Sequence, residues 1–341
     1  MTMTMVKSKN PATVTALATN KMNKLGLCCI SLSLKEQGYS FQTMTFKRFD
    51  SLPREEALEI LGQRILNNLI VTNEHIRYCH RNNLVYRLSS DIFPLITYEK
   101  ANVDLTDLPN TTEILDAINL IAKTVEETCV RISAHPDQFN VLASTNPDSV
   151  QKTVDELNFF SSFMDCIGCS ADYNSPINLH INNKQGSYEE IITRFMSSFN
   201  RLDPNCRNRI VIENDDKYGG WSVQELVEHF HPATKIPITF DYLHNKCNPS
   251  SEDYDEHTCV ESCYKTWHGY KPLFHYSESK PGNNPRAHAD YPDNLFNDYG
   301  FSFDIDMELK QKDLAIAKYR EIVNEQDHNK NNQEVLCGME A

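Results

Sequence analysis

Arg209-Ile210-Val211-Ile212-Glu213 is a short apolar run that stops at a carboxylate, and the pattern recurs along the chain. Arg131-Ile132-Ser133-Ala134 runs into His135, and Pro176-Ile177-Asn178-Leu179 into His180. Ile236-Pro237-Ile238-Thr239-Phe240 stops at Asp241, and Lys271-Pro272-Leu273-Phe274 at His275. The last run, Phe301-Ser302-Phe303-Asp304-Ile305-Asp306-Met307, reaches Glu308. One ligand-type residue at the C-terminal end of each successive strand is how a (β/α)8 barrel assembles a site. The pattern predicts a single-domain α/β protein, a (β/α)8 TIM barrel, carrying metal chemistry.

The rest of the chain fits this frame. Residues 24–30 read as a first strand and 84–88 as a second, separated by an amphipathic helix over Arg54–Arg81 that Pro53 opens. Helices are predicted over 112–128, 147–166, 187–200, 222–230 and 258–267, with a closing helix over 311–323. Strict alternation of strand and helix favours a parallel sheet, and ligands from six strand ends favour closure. The loops 245–256 and 277–298 are rich in Pro, Asn, Ser and charge, and long βα loops form the substrate-facing rim. Residues 1–23 lack Asp and Glu and lack the apolar core of a secretory signal, so they read as a flexible segment. The barrel domain is expected over 24–323, with a flexible polar tail over 324–341.

Composition narrows the class. Hydrophobic residues make up 40% of the 341 and charged ones 23%, ordinary for a globular protein. No apolar run approaches the roughly 18–20 residues of a membrane span. A net charge of −14 argues against nucleic acid as partner, except that bound cations would neutralise several of these carboxylates. The 11 scattered cysteines suit reduced thiols in a cytoplasmic or nuclear compartment, with a mitochondrial address as the alternative. Cys166-Ile167-Gly168-Cys169 has CxxC spacing but ends a helix rather than opening one, against a redox role. Cys247, His257, Cys259 and Cys263 have spacings that match no familiar zinc module.

Each ligand-type residue has a plain structural reading: a hydrogen-bonded core histidine, a helix cap at Asp241, an ion pair at Glu213. The joint pattern outweighs these readings. His244 follows Asp241 by three residues, and His288 lies in the long loop after His275. Five histidines and three carboxylates form a nitrogen and oxygen set suited to Zn2+, Mn2+ or Fe2+ more than Mg2+, and large enough for two or three ions. Such centres serve phosphodiester hydrolysis or aldose–ketose isomerisation, and the histidine content favours the former.

Tyr86-Arg87-Leu88-Ser89-Ser90-Asp91-Ile92-Phe93-Pro94, Ile132-Ser133-Ala134-His135-Pro136-Asp137-Gln138, Ile212-Glu213-Asn214-Asp215-Asp216 and Arg286-Ala287-His288-Ala289-Asp290-Tyr291 resemble motifs of the UV damage endonucleases. Asp306-Met307-Glu308-Leu309-Lys310 fits as well, and the resemblance covers residues 25–323. It implies a barrel related to endonuclease IV, and a monomer acting on damaged double-stranded DNA with no membrane partner. The expected cofactor is Mn2+ in two or three copies, with Zn2+, Mg2+ or Co2+ as alternatives. The implied reaction is a nick immediately 5′ to cyclobutane pyrimidine dimers and 6-4 photoproducts that leaves a 3′-hydroxyl. By position, His135, His180 and Glu213 would hold one ion. Glu213, Asp241, His275 and Glu308 would hold the next, and Asp241, His244 and His288 the third. Glu213, Asp241, His275 and Glu308 would thus carry the catalysis, the ions activating water and stabilising the departing 3′ oxygen.

Gln138-Phe139 resembles the family's Gln-Tyr wedge, which fills the gap opposite an extruded lesion; the plain alternative is that Phe139 packs under a loop. Arg87, Ser89, Ser90, Lys280 and Arg286 are the expected phosphate contacts. Three departures stand out: Leu27 for a lesion-stacking tyrosine, Tyr98 for a histidine, and Leu273 for a modifiable lysine. An abasic-site endonuclease, a metal-dependent sugar isomerase and a non-enzymatic damage-binding protein are the competing readings.

Overall fold

The computed structural model describes residues 23–339 apart from Gln138 and Asn283. The expectation for residues 1–22 therefore lies outside the described residues. Asn23, expected in the same segment, is anchored: its side chain donates to Asp298 and accepts from the Phe303 amide.

Eight short strands form one parallel sheet: β1 Leu25–Cys28, β2 Val85–Leu88, β3 Ile132–Ala134, β4 Ile177–His180, β5 Ile210–Glu213, β6 Ile238–Thr239, β7 Leu273–Tyr276 and β8 Asp304–Met307. Their order is β6-β5-β4-β3-β2-β1-β8-β7. The ends of that order meet through the Asp241↔His275 bridge, where the His275 amide donates to the Phe240 carbonyl at 2.9 Å. The expected barrel is therefore present. Its strands are buried on both faces, which explains why they read as unbroken apolar runs rather than alternating ones.

The helices lie outside this barrel. Arg54–Arg81 buries Ala57, Leu61, Ile65, Leu69 and Ile76 at helical spacing, with Glu55 and Glu56 in its first turn and His80 and Arg81 in its last. Asn68 is buried in mid-helix, where its amide donates to the Gln42 and Asp91 carbonyls and its oxygen accepts from the Gln42 amide. Two loops that flank the barrel mouth are thereby fixed to the helix. Tyr188–Phe199 opens on a capping box of Ser187 and Glu190, and a second box joins Ser222 to Glu225. The helix predicted over 222–230 runs without interruption over 223–234, with a π-helical stretch Leu226–Phe230 between Val223–Glu225 and His231–Thr234. The final helix runs Lys312–Met339, so the polar stretch from 324 continues the helix. That stretch lacks proline, and Glu and Gln are good helix formers.

Two arginines fasten the barrel from below. Arg131 reaches Asp304 at 3.0 Å, and Lys271 reaches the same carboxylate at 2.6 Å, closing the N-terminal end. Arg209, wholly buried just before β5, donates to the carbonyls of Ser161, Cys169 and Ser170 and pairs with Asp165 at 2.6 Å. It thus locks the end of Pro147–Cys166 to the strand that carries Glu213. The ten cysteines from Cys28 to Cys263 are free thiols. Among the described residues no helix is long and apolar enough to cross a membrane.

Arg209→Met keeps the aliphatic stem and leaves three carbonyls without their donor. The expected loss is about 3 kcal/mol, since each buried acceptor left unpaired costs about 1–3 kcal/mol and relaxation recovers part. Chemical denaturation followed by circular dichroism measures it; an unchanged midpoint contradicts this role.

Candidate metal centre

The strand ends converge as the sequence predicts. β4 and β5 pair in register with His180 opposite Glu213, and His135, Asp241 and Glu308 stand just past β3, β6 and β8. Glu213 is wholly buried at the centre. Its Oε2 lies 3.1 Å from His135 Nε2, 3.5 Å from His180 Nε2 and 3.1 Å from His275 Nδ1, and its Oε1 lies 3.0 Å from His244 Nδ1. His275 Nδ1 is also 3.3 Å from Glu308 Oε1. Asp241 divides its two oxygens. Its Oδ1 caps the helix Tyr242–Cys247 by accepting from the His244 amide, and its Oδ2 is buried without a hydrogen-bond partner. The helix-cap reading of this residue holds, and one oxygen is left over for a ligand role.

His288 arrives from the loop 277–298. There the Ser279↔His288 bridge and two flanking backbone bonds, Lys280 to Ala287 and Ala289 to Glu278, hold a narrow hairpin over the site. Its Nδ1 donates to the Glu308 carbonyl at 2.7 Å.

Three groups of ligand atoms lie within 4.8 Å of one another: His135, His180 and Glu213; His135, His275 and Glu308; Glu213, Asp241 and His244. The first matches the expected division. The second and third regroup the others, with His135 beside His275 and Glu308, and with Glu213 joining Asp241 and His244. His288 belongs to none of the three but lines the same cavity.

The electrostatics suit cations. Asp241 Oδ2 is buried with no hydrogen-bond partner, and Glu213 Oε1 and His275 Nδ1 meet only other ionisable groups of the site, an arrangement folded proteins avoid unless charge is supplied there. Burial raises the Glu213 pKa, but His275, His180 and His244 outweigh it and hold the carboxyl well below its usual range. Burial lowers that of His275, yet Glu213 and Glu308 outweigh it and push the imidazole up to about 9. His135, for which burial dominates, is held below its ordinary value. Without a cation the carboxylates thus retain protons on neighbouring imidazoles, the positions where a metal ion would compete. The donor set and its unpartnered atoms fit divalent ions.

Above these ligands opens a cavity of about 590 Å³, its wall including Ser90, Lys184, Asp215, Asp216, Lys217 and Tyr218. The expected DNA contacts fall in different places. Phe139 is 80% exposed, not packed under a loop, whereas Gln138 lies outside the described residues. Ser90 is exposed on the cavity wall; Ser89 is buried and accepts from the Asp91 amide. Lys280 pairs with Asp290 at 2.9 Å, and Arg286 reaches Asp216 at 3.2 Å across the mouth. Arg87 differs from a rim cation. It is buried, bonded to Glu308 and 3.8 Å from Asp306. Of the three departures, Leu27 is buried in the core, Tyr98 rests its ring on Phe46 at 5.3 Å, and Leu273 is buried at the start of β7.

Four participants were not read from the sequence. Asp215 braces the site from behind: its Oδ1 lies 3.0 Å from His180 Nδ1, and its Oδ2 accepts from the Trp221 amide. Asn178 donates to Glu213, and Asp306 sits two residues before Glu308 on the same strand face. The period-two spacing of Asp304, Asp306 and Glu308 was the available signal. Tyr218 is 93% exposed on a Gly-Gly turn at the cavity mouth and had no sequence signal.

Comparison with known proteins bears directly on this geometry. The UV DNA damage endonuclease of Bacillus cereus strain Q1 is 30% identical over 289 residues, covering 82% of this chain and 87% of that one. The crystal structure of SacUVDE superposes with a TM-score of 0.73 at 26% identity, covering 90% of this chain and 99% of that one. Endonuclease IV from Thermus thermophilus shares the fold, with a TM-score of 0.51 at 13% identity over 74% of this chain and 94% of its own. Residues 23–336 match the family described as UV-endonuclease UvdE, and the chain belongs to that family.

Proposed function

We propose that this protein is a metal-dependent endonuclease that nicks DNA immediately 5′ to UV photoproducts, cyclobutane pyrimidine dimers and 6-4 photoproducts, and leaves a 3′-hydroxyl. The observation that carries this reading is Glu213, a fully buried carboxylate faced by four imidazoles at the floor of an open cavity. Family membership supplies the substrate class. All eight expected ligand residues come from one chain, which supports action as a monomer.

His180 and Glu213 would hold one ion, His275 and Glu308 a second, and Asp241 and His244 with Glu213 a third, the single free ring nitrogen of His135 serving one of the first two. When bound, two or three divalent ions supply an acidified water and positive charge for the phosphate in reaction. The mixed nitrogen and oxygen donors suit Zn2+, Mn2+ or Fe2+ better than Mg2+, and the choice of Mn2+ rests on the family resemblance. The chain's own contributions are orientation and exclusion. Asp215 fixes the His180 ring, the Asn214 carbonyl fixes His244 at 2.9 Å, and the Glu308 carbonyl fixes His288. Each bond engages Nδ1 and leaves Nε2 available as a ligand atom.

Phe139 stands clear of the rim as a stacking surface. A distorted photodimer is weakly stacked and costs less to extrude than a normal step, and a ring filling the gap offsets part of that cost. A net charge of −14 makes the neutralised centre, with Lys217 and Arg286 at its mouth, the attraction for phosphate.

Labelled duplexes carrying one thymine dimer, one abasic site or no lesion test the reading directly, each with Mn2+ or with EDTA. The expected outcome is an Mn2+-dependent cut just 5′ to the dimer with a 3′-hydroxyl end; cutting of the abasic duplex alone, or of none, overturns it. Phe139→Ala is expected to lower kcat/KM on the dimer by roughly tenfold or more, since base stacking contributes about 1–3 kcal/mol. Unaltered turnover in steady-state assays would return Phe139 to an idle surface residue.

A further inference from the structure

Among the five site histidines, four have one ring nitrogen tied to an acceptor of the protein. His135 Nδ1 meets the Pro136 carbonyl at 3.2 Å, His180 Nδ1 meets Asp215 at 3.0 Å, and His244 and His288 meet the carbonyls of Asn214 and Glu308. His275 has no such bond. Its Nδ1 faces Glu213 and Glu308, and its Nε2 points to Asp306 Oδ2 at 3.8 Å.

Asp306 occupies a place prepared for it. It is wholly buried, and both of its oxygens lack a hydrogen-bond partner. Its Cα pairs with His275 on one side and Gly26 on the other. A Cβ at Gly26 would collide with Asp306 Oδ1 and press on Val85, so the glycine leaves the volume this carboxylate fills. Arg87 of β2, opposite Cys28 of β1, comes within 3.8 Å of Asp306 and bonds to Glu308. An ionisable group with two unpaired oxygens inside a barrel is costly, and the groups facing it are His275 and Arg87.

We propose that Asp306 is a positioning residue of the metal centre, holding His275 with its proton on Nε2 so that Nδ1 is presented as the ligand atom, and holding Arg87 against Glu308. The inference rests on the metal-centre reading. A carboxylate behind a ligand histidine fixes its tautomer and raises its basicity, and losing such a partner costs about 10- to 100-fold in metal affinity.

The test is titration of the full-length protein with Mn2+ alone, in competition with a fluorescent chelator. Parent, Asp306→Asn and Asp306→Ala are compared, with thermal melting of each in EDTA. Asn preserves the volume but can turn an N–H toward Nε2, and Ala removes the acceptor. The expected result is Mn2+ binding weakened about 10- to 100-fold in both variants, with melting in EDTA equal to or above that of the parent. Affinities within about twofold of the parent overturn the proposal, as do weakened affinities that follow an equal loss of melting temperature. A parent that binds no Mn2+ overturns the metal-centre reading itself, a distinct outcome.

Discussion

Glu213 has no solvent exposure, and imidazole nitrogens of four histidines lie within 3.5 Å of its oxygens. A carboxylate so placed is tolerable only while positive charge faces it. Most of the barrel mouth follows from that constraint. His135, His180, His244 and His275 come from four different strand ends, and closure at Asp241↔His275 brings the last two beside the first two. An open sheet of the same strands would leave Glu213 with only some of these neighbours.

The surrounding structure serves to hold this cluster in place. Arg209 anchors the start of β5, the Asp304 cluster closes the opposite end, and Asn68 fixes the loops beside the mouth. Phe139 and Tyr218, by contrast, stand exposed on loops outside this rigid frame.

How much of this was legible follows from physical reasons. Parallel barrel strands are buried on both faces, so a histidine or carboxylate ending each apolar run stood out in the sequence, and all eight expected ligand residues gather at one end of the barrel. Which of these side chains face one another was not legible, because that depends on the register that sets His180 opposite Glu213 and His275 opposite Asp306. Arg87 reads as a rim cation at the end of a strand, yet its side chain is buried and reaches Glu308 two strands away, a contact the sequence alone does not reveal. Position 27 reads as a place for a stacking ring, but its side chain faces the buried core. The helix beyond residue 323 was obscured because a polar composition alone does not distinguish a solvated helix from a tail.

The central claim is that Glu213 is shared between bound cations. Elemental analysis of purified protein, loaded with Mn2+ and dialysed, measures it as ions per chain in the natural sequence and in Glu213→Gln. Two or three ions are expected in the former and loss of at least one in the latter, because the amide keeps the shape of the side chain and removes its charge. An ion-free natural protein, or an unchanged count in the variant, would contradict it.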